Sequence, residues 1–209
     1  MNSRLQFNPT EALAHLRAQD PVIAALIERI GPYALQPHRA KSLFEALLRS
    51  IVYQQLHGKA AATILGRVHA ALEPHGGPTP AALAATSDEV LRAAGLSRAK
   101  LAAARDLAHK CTEGTVPAWS EAKKLDDDEL ITRLTAVRGI GPWTVHMLLI
   151  FHLGRPDVMP TGDFAIRLAF KKLYRKRVDP TAAIILKHAR CWQPYRSVAS
   201  WYLWRSLDA

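Results

Sequence analysis

Asp163 is the acidic side chain whose sequence context best suits it to do chemistry. It follows the loop-forming stretch 160–162 (Pro-Thr-Gly) and precedes the apolar stretch 164–166 (Phe-Ala-Ile). A carboxylate at such a junction can stabilise developing positive charge, or can orient or deprotonate a water molecule. The same position suits a helix N-cap, a structural role that most such aspartates fill without any chemistry. On its own this segment favours the cap, so a chemical role needs support from a second motif.

The second motif is a short turn at 139–142 (Gly-Ile-Gly-Pro) that joins two predicted helices. One helix is predicted to end near Val137 and the next to begin at Pro142, because glycine often ends helices and proline often begins them. Such a turn directs backbone N–H groups outward at a helix N-terminus, where an anion such as phosphate can bind. No Gly-Lys-Ser/Thr follows, which excludes a nucleotide-binding P-loop. A purely structural junction between two helices is the alternative.

The elements that must position these motifs are helices. Small polar residues followed by proline or by acidic residues recur along the chain and predict helix starts. The predicted starts are Asp20-Pro21, Thr79-Pro80, Ser87-Asp88, Ser97, Ser120-Glu121, the acidic run 126–129 and Asp179-Pro180. Between them apolar residues return at helical spacing, as at Leu43, Leu47, Leu48 and Ile51. We predict an all-α fold of about ten helices joined by short loops, with no strand.

The composition indicates a basic globular protein. Lys and Arg number 28 against 18 Asp and Glu in 209 residues, which gives a net charge of +10 and a pI near 9.9. That charge favours a polyanionic partner, with plain solubility or an anionic membrane surface as alternatives. We find neither a stretch long enough to span a membrane nor the apolar core of a signal peptide. The 2 cysteines and 9 histidines form no disulfide framework and no metal motif, so we expect a reducing, intracellular compartment and no catalytic metal.

Five segments together resemble the helix-hairpin-helix (HhH-GPD) DNA glycosylase superfamily, and within it the 3-methyladenine DNA glycosylase II, or AlkA-type, family. They occur in the family's order over nearly the whole chain. The segments are 51–56, 95–100, 139–144, 160–167 and 192–204. Asp163 follows Trp143 at the spacing the family uses for its catalytic aspartate. With the hairpin in place, the catalytic interpretation of Asp163 therefore outweighs the cap, and both roles can coexist.

The resemblance implies two helical lobes that flank a DNA-binding cleft, with the hairpin and Asp163 at the cleft mouth. We expect a single glycosylase unit over residues 1–209. Lobe A would comprise residues 1–35 and 175–209, and lobe B residues 36–174 with the hairpin at 134–146. AlkA-type proteins can carry an additional N-terminal β-rich domain. This chain starts too close to its helical core to hold one, so we expect the compact form without a β domain.

The resemblance also implies an activity. The protein would flip alkylated bases of the 3-methyladenine and 7-methylguanine type out of duplex DNA and excise them in base excision repair. Cleaving the N-glycosidic bond builds positive charge on the sugar, which Asp163 would stabilise. Superfamily members that also nick the strand carry a lysine where Trp143 stands, so we expect an abasic product and no AP-lyase activity. The alternatives are a same-fold glycosylase for deaminated or oxidised bases and a non-catalytic DNA-binding protein.

Other site residues follow from the resemblance. The flipped base would lie against Trp143, Met147 and Trp204, and Met147 stands where the family can offer a tyrosine. The segment 54–57 would fill the gap in the duplex, with Leu56 or Gln55 as the filling side chain, and would contact the orphan base; an ordinary helix end at Gly58 is the alternative. That segment consists of Gln54, Gln55, Leu56 and His57. The residues expected to contact the DNA backbone are Gly139, Ile140, Gly141, Thr144, Arg167 and Lys171, although a basic run such as 171–177 is by default a solvated helical face.

No cofactor is expected to be required. The resemblance implies a structural Na⁺ or K⁺ ion held by the backbone carbonyls of Thr135, Val137 and Ile140, which the side chains themselves do not demand. The expected partner is double-stranded DNA containing damaged bases, bound by a monomer without membrane contact. We expect a cytoplasmic protein associated with the bacterial nucleoid.

Overall fold

The structure, a computed structural model, describes residues 5–208, and all regular structure among them is helical. The α-helices are α1 (Pro9–Gln19), α2 (Pro21–Ile30), α3 (Leu43–Tyr53), α4 (Gly58–Leu72), α5 (Pro80–Ala85), α6 (Asp88–Ala93), α7 (Arg98–Thr112), α8 (Trp119–Ala122), α9 (Asp127–Thr135), α10 (Pro142–Phe151), α11 (Phe164–Leu173), α12 (Ala182–His188) and α13 (Arg196–Arg205). Short 3-10 helices cover Glu73–His75 and Ala189–Trp192. The all-α prediction is confirmed, with no strand between residues 5 and 208. None of the helices described there is long and apolar enough to cross a membrane.

Side-chain caps begin many of the helices at the predicted positions. Asp20, Thr79, Ser87, Ser97 and Asp126 each accept a backbone N–H from the first turn of the helix that follows. These N–H groups have no partner inside the helix, and each cap is typically worth about 1 kcal/mol. The polar residues that mark helix starts in the sequence therefore mark them in the structure.

One predicted start was wrong and another is displaced. α12 is capped by Thr181, whose Oγ1 accepts the Ile184 N–H at 3.4 Å, and not by Asp179. The Asp179 carboxylate instead pairs with Lys171 at 2.6 Å. α8 begins at Trp119, one residue before the predicted Ser120, and its N-cap residue Ala118 has no side chain that could accept a hydrogen bond.

The chain forms two compact units, and the first is continuous from residue 40 to residue 148. Its core is organised around α7, which packs against α3 and α5. α3 contributes an apolar face on which Leu47, Leu48 and Ile51 are fully buried, as their spacing predicted. Burying each such side chain contributes roughly 1.5–3 kcal/mol to stability. The packed helices α3 and α7 therefore hold the segments at their ends in place.

The second unit is discontinuous and combines residues 5–39 with residues 149–208. Its helix α13 packs against α1, α2 and α11. Phe170, Trp192 and Tyr202 are the largest fully buried side chains of this core. Large aromatic residues bury much apolar surface, so these three contribute strongly to the stability of the unit.

The unit boundaries differ from those expected for the two lobes. The chain changes unit after residues 39 and 148, whereas the sequence suggested residues 35 and 174. Residues 149–174 group with the second unit because α11 buries Ile166, Ala169 and Phe170 in its core. Asp163 therefore belongs to the unit built from both ends of the chain, and residues 134–146 belong to the continuous unit.

Asp20 connects four segments of the second unit. Its Oδ1 caps α2 by accepting the Val22 and Ile23 N–H groups at 2.9 and 3.2 Å. Its Oδ2 accepts hydrogen bonds from Tyr174 Oη at 2.6 Å, Trp192 Nε1 at 2.8 Å and His188 Nε2 at 2.9 Å. Burial acts to raise the pKa of Asp20, but these donors outweigh it and hold the pKa below its usual value. A buried carboxylate with this many donors stays ionised and ties its donors together.

Candidate functional site

Asp163 lies in the second unit, where a tight turn meets α11. The turn is closed by the Asp163 N–H, which donates to the Pro160 carbonyl at 2.9 Å. The side chain then caps α11, because Oδ1 accepts the Ile166 N–H at 2.9 Å. The residue is 9% exposed, so the carboxylate is held against the N-terminus of α11, where the helix dipole favours an anion. The cap that the sequence suggested is present, and it fixes the same carboxylate that the catalytic interpretation uses.

A second donor reaches the same carboxylate oxygen. Trp204 on α13 donates its Nε1–H to Asp163 Oδ1 at 3.1 Å. The Trp204 ring stacks on Phe151 at the end of α10, with ring centroids 5.4 Å apart and planes 29° apart. Trp204 was predicted as a base-pocket residue, and the structure adds this contact with the acidic site. Phe151 was not predicted, since an apolar residue at a helix end has no distinguishing pattern.

The hairpin lies in the first unit, between α9 and α10. Gly139 has φ 77°, a left-handed conformation that favours glycine, and the Ile140 N–H donates to the Val137 carbonyl at 3.0 Å. The Ile140 side chain is buried, so only the backbone of this residue is available for the predicted DNA contact. Thr144 is also buried, at 6% exposure, so its side chain would have to leave the core to contact a phosphate. The exposed part of the hairpin is therefore its backbone around Gly139.

Two side chains from other helices hold this backbone in place. Asp106 on α7 accepts the Arg138 N–H with Oδ2 at 2.6 Å, and its Oδ1 accepts Lys110 Nζ at 2.7 Å. Burial acts to raise the pKa of Asp106, but these donors prevail and lower it. From the other side, Gln54 donates Nε2–H to the Gly139 carbonyl at 2.8 Å. Asp106 was not predicted, because an aspartate within a basic helix matches no motif.

The segment 54–57 follows directly after α3, and the structure separates its members. Gln54 is engaged with the hairpin, whereas Gln55, Leu56 and His57 are exposed, Leu56 by 38%. Gln55 has φ 57°, in the left-handed region that residues with a side chain seldom adopt. The turn therefore presents Gln55 and its two successors at the surface, while Gln54 anchors the turn.

The stretch 95–100 supports the same turn. Gly95 has φ 112°, and a Cβ atom there would lie 3.0 Å from Ile64 Cγ1, so both the backbone conformation and the space favour glycine. Lys100 donates from Nζ to the Val52 carbonyl near the end of α3 at 2.7 Å, and burial lowers the pKa of Lys100. Lys100 and Arg138 line a cavity of about 320 Å³ together with uncharged residues. Those residues are Gln54, Gln55, Ser97, Ala99, Ala103 and Gly139. A cavity with two cations and no carboxylate in its lining suits an anion.

The basic residues on and after α11 are largely exposed. They include Arg167, Lys172, Arg175, Lys176 and Arg177. Lys171, predicted as a phosphate contact, pairs with Asp179, and this hydrogen bond lowers the pKa of Asp179. A surface ion pair is typically worth less than about 1 kcal/mol, so Lys171 could exchange this carboxylate for a phosphate at small cost.

The predicted base-pocket residues are divided between the two units. Trp204 lies beside Asp163 in the second unit. Trp143 and Met147 are on the part of α10 that belongs to the first unit, where Trp143 is 48% exposed and Met147 is half-buried. A tryptophan with half its surface exposed at a helix start presents an aromatic face to a planar ligand.

Only one cluster in residues 5–208 brings three potential metal ligands within 4.8 Å of one another, namely Asp20, His188 and Cys191. The oxygens of Asp20 already accept hydrogen bonds from side chains and from the backbone of α2. Cys191 donates from Sγ to the His188 carbonyl at 3.2 Å, and burial and the nearby Asp20 raise the pKa of its thiol. A thiol that keeps its proton is a poor metal ligand, so this cluster is best explained as a hydrogen-bond network that stabilises the fold.

Comparison with known proteins defines the class. The sequence profile of the family described as "HhH-GPD superfamily base excision DNA repair protein" matches residues 48–194, a span that includes the hairpin and Asp163. The chain therefore belongs to the helix-hairpin-helix superfamily of base excision DNA repair proteins.

The similar proteins are 3-methyladenine DNA glycosylases, which confirms the predicted family. DNA-3-methyladenine glycosylase 1 of Schizosaccharomyces pombe is 39% identical over 200 residues, which cover 94% of this chain and 87% of that protein. The structure of an S. pombe 3-methyladenine DNA glycosylase in complex with abasic DNA matches with a TM-score of 0.82 and 38% identity, over 95% of this chain and 97% of the other. A DNA-3-methyladenine glycosidase from Bacillus halodurans matches with a TM-score of 0.84 and 34% identity, over 99% and 92%.

Proposed function

We propose that this protein is a monofunctional DNA glycosylase that excises alkylated bases, such as 3-methyladenine and 7-methylguanine, from duplex DNA. The observation that supports this best is the Asp163 carboxylate, buried at the start of α11 and fixed by donors from Ile166 and Trp204. A protein that only bound phosphate would gain nothing from an anion held in this way. The names of the similar proteins, which are 3-methyladenine glycosylases, support the same substrate class.

The chemistry needs an anion and little else. The bond between the base nitrogen and C1′ breaks, the electron pair leaves with the base, and positive charge develops on the sugar. A preorganised carboxylate stabilises that charge. A water molecule then forms the new bond to C1′ and gives up a proton, for which Asp163 is the proposed acceptor. Alkylation at a ring nitrogen already makes the base a good leaving group, so one carboxylate is sufficient.

The proposed product is an abasic site, without strand cleavage. A glycosylase that also nicks the strand uses an amine that forms a Schiff base with the sugar. The hairpin offers Trp143 at the position where the resemblance expects that lysine, and an indole cannot form a Schiff base. Trp143 would instead contribute an aromatic surface for the base.

The first unit is proposed to bind the DNA backbone. The exposed backbone at Gly139 and the cavity lined by Lys100 and Arg138 offer N–H donors and positive charge to phosphate. The similar S. pombe structure was determined with abasic DNA, which supports duplex DNA as the partner. We propose that a monomer acts on chromosomal DNA, which in a bacterium lies in the nucleoid.

We further propose that the hairpin can hold a Na⁺ or K⁺ ion through the carbonyls of Thr135, Val137 and Ile140. Thr135 ends α9, where the helix dipole is negative, and the Val137 carbonyl keeps a second lone pair beside its bond from Ile140. The donor set therefore fits a hard monovalent cation. Thermal unfolding in K⁺ should occur at a higher temperature than in tetramethylammonium at equal ionic strength, and equal values would contradict the site.

The test of the proposed function is base release from methylated duplex DNA, with Asp163→Asn in parallel. We expect the wild-type protein to release methylated purines and the variant to release none above the spontaneous rate, while duplex affinity changes little. Wild-type turnover in the variant would refute the role of Asp163. Tight duplex binding without base release by the wild type would favour another lesion class, to be tested with deaminated and oxidised bases, and then a non-catalytic binding protein.

A further inference from the structure

We propose that Trp204 is a positioning residue that acts through Asp163, in addition to any contact it makes with the base. The inference rests on the proposed catalytic function of Asp163. It starts from the hydrogen bond that joins Trp204 Nε1 to Asp163 Oδ1 at 3.1 Å. An indole used only as a stacking surface has no need to direct its one donor at the acidic group.

The hydrogen bond has a specific effect on the carboxylate. Oδ1 accepts both the Trp204 N–H and the Ile166 N–H, from two different helices. Two donors from different helices on one oxygen restrict the rotation of the carboxylate about χ2 more than the helix cap alone does. Rate depends steeply on such orientation, because charge stabilisation requires the anion in place before the sugar becomes positive.

The indole is itself held in place. Trp204 stacks on Phe151 with ring centroids 5.4 Å apart, and the His38 ring lies 6.1 Å from the Phe151 ring. The His38 N–H donates to the Phe151 carbonyl at 2.6 Å, which ties the N-terminal segment to the end of α10. The orientation of Asp163 is thus set by α13 and α10 as well as by its own helix.

The matched test compares two tryptophans on the same helix. Trp204→Phe keeps an aromatic ring against Phe151 but removes the donor. Trp201→Phe makes the same change three positions earlier, where the ring packs on Tyr33 at 5.1 Å and on Tyr202 at 4.8 Å. We expect the single-turnover rate of base release to fall about tenfold in W204F and to stay near the wild-type rate in W201F.

The measurement that separates positioning from base binding is the affinity for a duplex that still carries its base. If Trp204 acts through the carboxylate, the Kd of W204F for a duplex with an uncleavable 2′-fluoro analogue of the methylated nucleotide will stay within about twofold of wild type while the rate of base release falls. A Kd that rises in proportion to the loss of rate would assign Trp204 to the base alone and overturn the inference.

A spectroscopic measurement keeps the inference testable if W204F folds poorly. The protein has 5 tryptophans, so a ¹H–¹⁵N correlation spectrum contains only a few indole Nε1–H signals. We expect one Nε1–H signal to move far more than the others in Asp163→Asn, because it loses a charged acceptor. Small and equal chemical-shift changes of all five indole signals would contradict the hydrogen bond between Trp204 and Asp163. Absence of base release by the wild type would overturn the proposed function and this inference together, whereas release that W204F leaves undiminished would overturn the inference alone.

Discussion

Gln54 Nε2 donates to the Gly139 carbonyl at 2.8 Å and thereby joins the turn after α3 to the hairpin. The next residue, Gln55, is left exposed with φ 57°. The two glutamines are adjacent in sequence and have different surroundings, so they should differ in what they do. Gln54 orients the backbone proposed to bind phosphate, and Gln55 is available to enter the duplex.

The pair gives a direct comparison of variants. We expect Gln54→Leu to weaken binding about fivefold for intact and abasic-analogue duplexes alike, because a hydrogen bond worth about 1 kcal/mol no longer holds the hairpin. Gln55→Leu should alter binding only to the abasic-analogue duplex, where a gap exists to be filled. Fluorescence anisotropy at one fixed salt concentration measures both. An effect of Gln54→Leu confined to the abasic duplex would instead make Gln54 the residue that fills the gap.

The identity of residue 143 should not be enough to create a lyase. Trp143→Lys supplies an amine at the hairpin, but efficient Schiff-base chemistry also needs that amine at a lowered pKa and at the right angle to C1′. We expect no efficient covalent trapping by borohydride on abasic DNA, and no strand cleavage above the spontaneous level. A strong trapped adduct would show that the rest of the site already supports lyase chemistry.

Gly95 offers a stability prediction with an internal control. Gly95→Ala forces a side chain into φ 112° and brings its Cβ to 3.0 Å from Ile64, so we expect a loss of about 3 kcal/mol in the free energy of unfolding. At Gly114 φ is 85° and an added Cβ would have nothing within 4 Å. Gly114→Ala should therefore lose only the free energy that the strained backbone conformation costs, about 1 kcal/mol. Chemical denaturation measures both. Equal losses of unfolding free energy in the two variants would mean that the Ile64 side chain moves aside without a measurable cost.

Asp20 should make the second unit sensitive to acid. Its pKa in the folded state lies below the usual value of 3.8, so its ionised form stabilises the fold above about pH 4, and that stabilisation is lost as pH falls through the folded pKa. Asp20→Asn should lower the free energy of unfolding by about 3 kcal/mol at neutral pH, because several buried donors lose a charged acceptor. The difference between wild type and variant should shrink below pH 4.

The control for this experiment is Asp208→Asn, which removes an exposed carboxylate paired with Arg205. It should change stability by less than about 1 kcal/mol at any pH. A difference between wild type and Asp20→Asn that stays constant down to pH 2 would contradict the lowered pKa. An Asp208 effect as large as that of Asp20 would mean that the loss reflects overall charge.

Helix starts were predicted correctly where they depend only on interactions between residues that are close in sequence. The caps at Asp20, Thr79 and Ser97 satisfy N–H groups two or three residues away, so their residue types alone predict them. The start at Asp179 failed because its carboxylate has a competing partner in Lys171, eight positions earlier on another helix. The general preference of aspartate for helix N-caps carries no information about such a competing partner.

Contacts across long stretches of chain could not be predicted. The Trp204 indole meets Asp163 across 41 positions, and Asp106 meets the Arg138 N–H across 32. Both depend on how helices pack, and helix packing is set by the summed burial of many side chains rather than by any one residue. The sequence could identify Asp163 and the hairpin as separate motifs, but not the side chains that hold each of them.

The discontinuity of the second unit has a consequence for the order in which a ribosome delivers the chain. Residues 40–148 form a continuous unit and can fold once they have emerged, whereas the core containing Ile23 and Ile27 must wait for Phe170, Trp192 and Tyr202. During synthesis α2 therefore exposes apolar surface over most of the time of translation, and such surface is what chaperones recognise and what aggregates. The entropic cost of closing a loop grows only with the logarithm of its length, so this long separation costs little more free energy than a shorter one would. It does, however, delay the folding of the unit that carries Asp163 to the last moments of translation.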